Sequence, residues 1–130
     1  ITAYQKYQVP KKKLFPKDYH YRSKFTKDVL TGMKEVLGKS KSFYKSLKGK
    51  VILDVGCNDG SLLDFYKREG AITIGIEPTN AVDEARLKGH HTYKSYFDKK
   101  TILIQDFLFV KVNFVEHFLL ISPVSHFQIL

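Results

Sequence analysis

Two short runs of hydrophobic residues lie near the middle of the chain, and each run leads into glycine-rich or polar sequence. The runs are Val51–Val55 and Ala71–Ile76. Consecutive β-branched or bulky residues are typical of strands that are buried on both faces of a parallel sheet. The segment between them, Ser61–Glu69, predicts a helix, which the Ser61 hydroxyl can cap and Gly70 can end. The hydrophobic pattern therefore predicts a βαβ unit.

The N-terminal part has a different pattern. Residues 1–18 carry two prolines around a lysine run, which predicts an extended, partly mobile segment. Apolar residues then recur at helical spacing from Tyr21 to Leu37, and Gly38 is a plausible end of that helix. Residues 39–50 are predicted as a basic connection that reaches the first strand.

The C-terminal part begins with a predicted short helix, Ala81–Lys88, which stops at Gly89, and a possible third strand, His91–Tyr93. The stretch 101–130 is rich in isoleucine, leucine, phenylalanine and valine and contains no glycine. It predicts one further strand near Phe107–Asn113. The pattern leaves the structure of the rest of this apolar stretch undetermined.

Charge is concentrated at one end of the chain. Residues 1–50 contain fourteen lysines and arginines against three acidic residues, so the formal net charge of +9 arises in that segment. A basic segment with interleaved tyrosines can bind nucleic acid. It can equally bind an anionic small molecule such as a nucleotide-linked sugar, or form a solvated surface.

Composition limits the class of protein further. The apolar fraction of 43% is sufficient for a folded core. No stretch approaches the roughly 18 uninterrupted apolar residues of a membrane span, so we expect no membrane association. The first ten residues do not resemble a signal peptide, and one cysteine excludes an internal disulfide. We therefore expect a reducing, cytoplasmic setting.

The turn after the first predicted strand carries the candidate chemistry. Gly56 and Gly60 bracket it, and Glu77 follows Gly56 by 21 residues at the end of the second strand, where a carboxylate can bind ribose hydroxyls. A dinucleotide fingerprint would have a glycine at the position of Asn58. The carboxylate of Asp54 suits a cationic ligand better than a pyrophosphate. An NAD-type turn and a loop without a ligand remain as alternatives.

The pattern Asp54-x-Gly56-x-x-x-Gly60 resembles motif I of class I S-adenosylmethionine-dependent methyltransferases. The resemblance implies an α/β, Rossmann-like fold with S-adenosyl-L-methionine as cofactor. A complete sheet of this kind has about seven strands and this length accommodates about four, so an incomplete fold is expected. The resemblance implies cofactor contacts from the following residues: Asp54, Gly56, Cys57, Asn58, Asp59, Gly60, Glu77 and Pro78.

Three stretches resemble one branch of these enzymes, the sugar C-methyltransferases, which act on nucleotide-linked keto-deoxysugars. They are residues 18–23, the turn with its Asn58-Asp59-Gly60 variant, and Asn113–His117. C-methylation beside a ketone needs a base for the α-proton and polar groups that stabilise the enolate. By resemblance, the candidates for these catalytic roles are Tyr19, Tyr21 and His117.

The departures from that branch leave other functions open. The cysteines of its N-terminal zinc-binding module and its C-terminal domain with a Glu-His base are missing, and His90-His91 lack a third ligand and are predicted as loop residues. The leading prediction is methylation of a nucleotide-linked deoxysugar or related small molecule. The alternatives are an RNA methyltransferase and a truncated, non-catalytic cofactor-binding fragment. The predicted organisation is a basic segment (1–50), a cofactor-binding βαβ domain (51–117) and an apolar tail (118–130).

Overall fold

The chain forms a parallel sheet with helices packed against it. The computed structural model describes residue 7, residues 9–98 and, as backbone, residues 118–121. Within these residues the strands are β1 (Val51–Val55), β2 (Ile72–Ile76), β3 (His91–Tyr93) and β4 (Phe118–Ile121). All pair in parallel in the order β3-β2-β1-β4, which places β1 at an interior position. The predicted α/β, Rossmann-like architecture is therefore confirmed.

The helices of the described residues follow the expected alternation with strands. They are α1 (Lys11–Leu14), a single 3-10 turn (Ser23–Phe25), α2 (Lys27–Tyr44), α3 (Ser61–Arg68) and α4 (Ala81–Leu87). None of them is both long enough and apolar enough to cross a membrane.

The core lies on both faces of β1, because all five residues of this strand are buried. One cluster packs Ile52 against Leu63 and Tyr66 of α3, with Leu37 of α2 at its edge. A second cluster occupies the opposite face and consists of alternate strand residues: Val51, Leu53, Val55, Ile74 and Ile76. Burial on both faces explains why β1 has no polar alternation in its sequence.

Helix α2 differs from the predicted helix at both ends. It begins at Lys27 rather than near Tyr21, and it passes Gly38 to end at Tyr44. A glycine inside a helix costs only about 1 kcal/mol, which tertiary contacts can offset. One such contact lies beyond Gly38, where the Ser40 hydroxyl lies 2.7 Å from the Tyr66 hydroxyl in the core.

Two further local predictions were wrong. The N-terminal segment is not extended throughout, since Lys11–Leu14 form a helical turn. Ser61 is the first residue of α3 rather than its cap. Gly60 occupies the cap position, and the Asp59 carboxylate accepts hydrogen bonds from the Ser61 amide (3.2 Å) and hydroxyl (2.7 Å).

The C-terminal part of the sheet contains one strand that the pattern predicted and one that it did not predict. The third strand, His91–Tyr93, is confirmed. The fourth strand lies at Phe118–Ile121, inside the stretch whose structure the pattern left undetermined. The predicted strand at 107–113 falls outside the described residues. Since β2 and β3 lie on one side of β1 and β4 lies on the other, the chain changes direction across the sheet next to β1.

Candidate cofactor site

The candidate site lies at the carboxyl ends of β1 and β2. In open parallel sheets, ligands bind outside the carboxyl ends of the strands, at the point where the strand order reverses. Here that point is the carboxyl end of β1, between β2 and β4. The turn from Gly56 to Gly60, which connects β1 to α3, occupies this position.

The backbone of the turn is held by the end of β2. The amides of Gly56 and Cys57 both donate to the Ile76 carbonyl, at 2.7 and 3.2 Å. Gly56 has a φ of 82°, and a Cβ placed on it would meet no atom within 4 Å. The glycine is thus required by its conformation, and the space beside it is open.

Gly60 has a different role from the one the sequence suggested. It also has a positive φ, of 76°, but a Cβ here would lie 2.9 Å from both Ala85 Cβ and His90 Cδ2. Its missing side chain therefore permits close packing of the start of α3 on α4, rather than close approach of a ligand.

Glu77 is bound to the turn through its carboxylate. The side chain is buried, and its two oxygens accept hydrogen bonds from the Asn58 amide (3.2 Å) and the Thr79 amide (2.9 Å). A carboxylate has about four acceptor positions, so further hydrogen bonds from hydroxyls are possible. Pro78, between Glu77 and Thr79, is partly exposed.

Asp54 is the least satisfied polar group of the site. Its side chain is 2% exposed, and among the described residues its Oδ1 has no hydrogen-bond partner. Burial, followed by the negative charge of Glu77, raises the pKa of Asp54 from 3.8 to about 7. A buried carboxylate oxygen without a partner is costly when the group is ionised, and a cation at this position would offset that cost.

Asn58 and Asp59 direct their side chains to the N-terminal segment. Asn58 adopts a φ of 51°, and its Oδ1 accepts from the Ser23 amide at 3.1 Å while its Nδ2 donates to the Tyr21 carbonyl at 3.2 Å. Asp59 Oδ2 accepts from the Lys24 amide at 3.1 Å. Both residues therefore connect the turn to the chain that precedes α2.

Cys57 fills space inside the turn. It is buried, and its Sγ would lie 2.5 Å from a Cβ added to Gly75 of β2. Burial raises the pKa of the Cys57 thiol far above its usual value, and the nearby carboxylate of Asp54 raises it further. These properties agree with a small packing residue and oppose a reactive thiol.

Of the two predicted tyrosines, the structure places Tyr21 in contact with the turn. Tyr21 is connected to Asn58 through its carbonyl and has a side chain that is 42% exposed. Tyr19 is partly buried, and its ring centroid lies 6.2 Å from that of Tyr21. His117 lies outside the described residues, so its predicted role remains a prediction.

The prediction that His90 and His91 are loop residues is confirmed for His90 and wrong for His91. His91 begins β3, while His90 is buried, with Nδ1 2.8 Å from the Thr73 hydroxyl and Nε2 2.9 Å from Asp64 Oδ1. A neutral imidazole satisfies both contacts by donating to the carboxylate. Burial lowers the pKa of His90, although Asp64 acts in the opposite direction. Within the part of the chain that the structure describes, no three potential metal ligands cluster.

Sequence reasoning missed several residues that organise the site. Thr79 is fully buried and donates its amide to Glu77. Arg22 pairs with Glu84 of α4 and donates to Asn80 Oδ1 at 3.2 Å. The threonine and asparagine before α4 were a recognisable helix-start signal. The contact between Arg22 and Glu84, 62 positions apart, has no local signal.

Comparison with known proteins gives one partial similarity. No family model matches the chain. Over 64 residues the chain is 38% identical to a ubiquinone biosynthesis O-methyltransferase from Pasteurella multocida (strain Pm70). The matched stretch covers 48% of this chain and 26% of that relative, so the chain spans about a quarter of the relative's length. The similarity supports a class I methyltransferase and does not distinguish the sugar C-methyltransferase branch.

Proposed function

We propose that this chain forms the S-adenosyl-L-methionine-binding part of a methyltransferase that acts on a small molecule. The observation that carries the proposal is the buried, unpartnered carboxylate oxygen of Asp54 at the point where the strand order reverses. S-adenosylmethionine carries an ammonium group and a sulfonium, and either positive charge suits a site with two buried carboxylates, Asp54 and Glu77. When bound, this cofactor supplies an electrophilic methyl group.

A dinucleotide fits the same site poorly. Pyrophosphates bind at helix N-termini because the free backbone amides point at them. At the N-terminus of α3, the Asp59 carboxylate already accepts from the Ser61 amide. A pyrophosphate would meet this negative charge, and the carboxylates of Asp54 and Glu77 would add to the repulsion.

Glu77 is the proposed ribose-binding residue. Its carboxylate lies at the end of β2, and hydrogen bonds from the backbone of Asn58 and Thr79 fix its orientation. The other residues proposed to form the cofactor site are Gly56, Cys57, Asn58, Asp59, Gly60 and Pro78. Of these, Gly56 leaves open space for the ligand, while Asn58, Asp59 and Gly60 shape the turn.

The proposed methyl acceptor is a nucleotide-linked deoxysugar that is methylated at carbon. Support comes from the resemblance of residues 18–23 to the sugar C-methyltransferases. It also comes from the position of Tyr21 beside the turn from Gly56 to Gly60, here called the cofactor turn. Tyr19 and Tyr21 would donate hydrogen bonds to the enolate oxygen. His117 is proposed as the polar group that accepts the α-proton or positions the base.

A second candidate is transfer to oxygen. It is favoured by the partial similarity to an O-methyltransferase of ubiquinone biosynthesis. The same cofactor site would serve both reactions, because the acceptor determines whether a C–H or an O–H proton must be removed. The acceptor therefore has to be determined separately from the cofactor.

The cofactor proposal is tested by calorimetric titration with S-adenosylhomocysteine and with NAD. The wild-type chain should bind S-adenosylhomocysteine more tightly than NAD. Glu77→Ala should weaken binding by about 1.5–3 kcal/mol, as expected for lost hydrogen bonds to a charged group. Glu69→Ala, which removes a carboxylate paired with Lys41 on the surface, is the control and should bind normally. Tighter binding of NAD, or an unaffected Glu77→Ala variant, would refute the proposal.

The acceptor proposal is tested with a nucleotide-linked keto-deoxysugar and labelled S-adenosylmethionine. Incubation in deuterated water should exchange the sugar α-proton, and Tyr21→Phe should slow methyl transfer while cofactor affinity is retained. Transfer to a phenolic hydroxyl and none to the sugar would favour the O-methyltransferase candidate.

An RNA acceptor is the alternative suggested by the basic N-terminal segment. If RNA bound there, neutralising Lys11–Lys13 would weaken binding and reduce its salt dependence by nearly three counterions. We expect RNA binding to be weak and insensitive to this triple substitution in a filter-binding series. Submicromolar RNA affinity that is lost in the variant would support an RNA methyltransferase instead.

A further inference from the structure

Residues 17–24, here called the N-terminal strap, run across the carboxyl edge of the sheet next to the cofactor turn. The turn holds the strap through three hydrogen bonds, in which Asn58 contacts the backbone of Tyr21 and Ser23, and Asp59 contacts the Lys24 amide. The Asn58 side chain donates from Nδ2 to the Tyr21 carbonyl and accepts at Oδ1 from the Ser23 amide. The Asn58 side chain is therefore committed to the strap.

Helix α4 and the residue before it hold the same strap. The Asn80 amide donates to the Lys17 carbonyl at 3.0 Å. Glu84 accepts from the Arg22 guanidinium with one oxygen and from Lys24 Nζ with the other, the latter at 2.6 Å. The strap is thus connected both to the turn that follows β1 and to the helix that follows β2.

Arg22 is the centre of this attachment. Its side chain is 12% exposed, and it donates to Glu84, to Asn80 Oδ1 and to the carbonyls of Tyr19 and Tyr21. A planar guanidinium can satisfy these acceptors together because its donors point in fixed directions. Lysine has no equivalent geometry.

We propose that Arg22 and Glu84 are positioning residues whose ion pair holds the N-terminal strap against the cofactor turn, and that cofactor affinity depends on this attachment. The inference rests on the proposed function, since it concerns the same cofactor site. Asn58 transmits the effect, because its side chain binds the strap and its backbone N–H donates to the Glu77 carboxylate. Release of the strap would loosen the orientation of Glu77.

Helix α4 provides a matched control for this proposal. Asp83 and Glu84 are adjacent carboxylates in the first turn of the helix. Asp83 pairs with Lys94 at 2.9 Å and Arg86 at 3.3 Å, neither of which belongs to the strap. Substituting either residue by alanine removes one acidic group and two ion pairs, but only Glu84→Ala releases the strap.

The experiment combines titration with S-adenosylhomocysteine and hydrogen exchange at the amides of the strap. Glu84→Ala should weaken binding about three- to tenfold and accelerate exchange at Ser23 and Lys24, whereas Asp83→Ala should change affinity less than about twofold and leave exchange unchanged. Arg22→Lys, which keeps the charge and loses the planar donor set, should behave like Glu84→Ala. In the wild type, bound S-adenosylhomocysteine should slow exchange at these two amides.

The outcomes separate this inference from the proposed function. If the wild type binds S-adenosylhomocysteine and the Glu84→Ala and Asp83→Ala variants bind it with equal affinity, the inference is overturned and the cofactor proposal stays intact. If exchange at Ser23 and Lys24 did not change in Glu84→Ala, the ion pair would not hold the strap, whatever the ligand result. If the wild type did not bind S-adenosylhomocysteine, the proposed function and the dependence of affinity on the strap would both be overturned. The exchange measurement would still show whether the ion pair holds the strap.

Discussion

Replacing Asp54 by asparagine should stabilise the free protein at neutral and alkaline pH and weaken cofactor binding. Asparagine has nearly the same shape as aspartic acid and carries no charge. In the wild type, the carboxylate is buried and its Oδ1 has no partner among the described residues. The substitution removes the cost of that buried charge and also removes the proposed partner of the cationic ligand.

The magnitude follows from the pKa of Asp54, which rises from 3.8 to about 7 in the folded protein. Between these values the folded state holds a proton that the unfolded state has released. Asp54 therefore makes its full contribution to the free energy of unfolding below about pH 4. This contribution is lost as the pH rises to about 7. A difference of about three pKa units corresponds to about 4 kcal/mol, so Asp54→Asn should be more stable than the wild type by about this amount at pH 8.

The same raised pKa predicts the pH dependence of binding. If the ligand requires the ionised carboxylate, wild-type affinity for S-adenosylhomocysteine should increase about tenfold from pH 6 to pH 8, with release of a proton. Asp54→Asn should lose this dependence. Its affinity at pH 8 should be lower by about 1.5–3 kcal/mol, the cost of losing a hydrogen bond to a charged group.

The measurements are urea unfolding and calorimetric titration of both proteins from pH 5 to pH 8. Comparing the two proteins at each pH cancels the titration of the groups that do not interact with Asp54. If the variant were less stable than the wild type at pH 8, the structural account of Asp54 would be wrong. If its affinity matched that of the wild type, Asp54 would have no part in ligand binding.

Three further predictions concern residues around the site. Burial lowers the pKa of His90, so the contribution of this residue to stability should be present above about pH 6.5 and be lost as the pH falls below that value. The His90 imidazole resonances should titrate below about pH 6.5, and urea unfolding of the Asp54→Asn variant should show the loss of stability. The thiol of Cys57 should resist alkylation in the native protein and react after unfolding, because it is buried and its pKa is raised; rapid native labelling would contradict this. Gly60→Ala should destabilise the protein by about 2–4 kcal/mol, because the added Cβ causes backbone strain and overpacking. The control Gly38→Ala has open space at its Cβ and should stabilise the protein by up to about 1 kcal/mol. Equal unfolding midpoints of the two variants in urea would refute the packing argument.

The sequence alone determined the centre of the fold and the location of the candidate site. Consecutive apolar residues predicted β1 and β2, since strands buried on both faces need no polar alternation. Glycine spacing predicted the turn between them, because a positive φ at Gly56 excludes most other residues. These features are local, so the sequence carries them without reference to distant contacts.

Other features depended on contacts between distant parts of the chain. Helix α2 continues through Gly38, although the local pattern predicted that it would end there. Beyond Gly38, its Ser40 contacts Tyr66 of α3 in the core. The position of β4 at 118–121 depends on pairing with β1, and a long apolar stretch contains several segments of equal β propensity.

The candidate site shows the same division. Composition and spacing identified Asp54 and Glu77 as acidic groups near a turn. Only the tertiary structure showed that Asp54 is buried without a partner at Oδ1 among the described residues, and that Arg22 reaches Glu84 across 62 positions. The burial of Asp54 arises from its position in β1, an interior strand of the sheet, and the pairing of Arg22 with Glu84 arises from the packing of the strap against α4. Local sequence does not encode these contacts, because each partner has the same propensity whether or not the other is present.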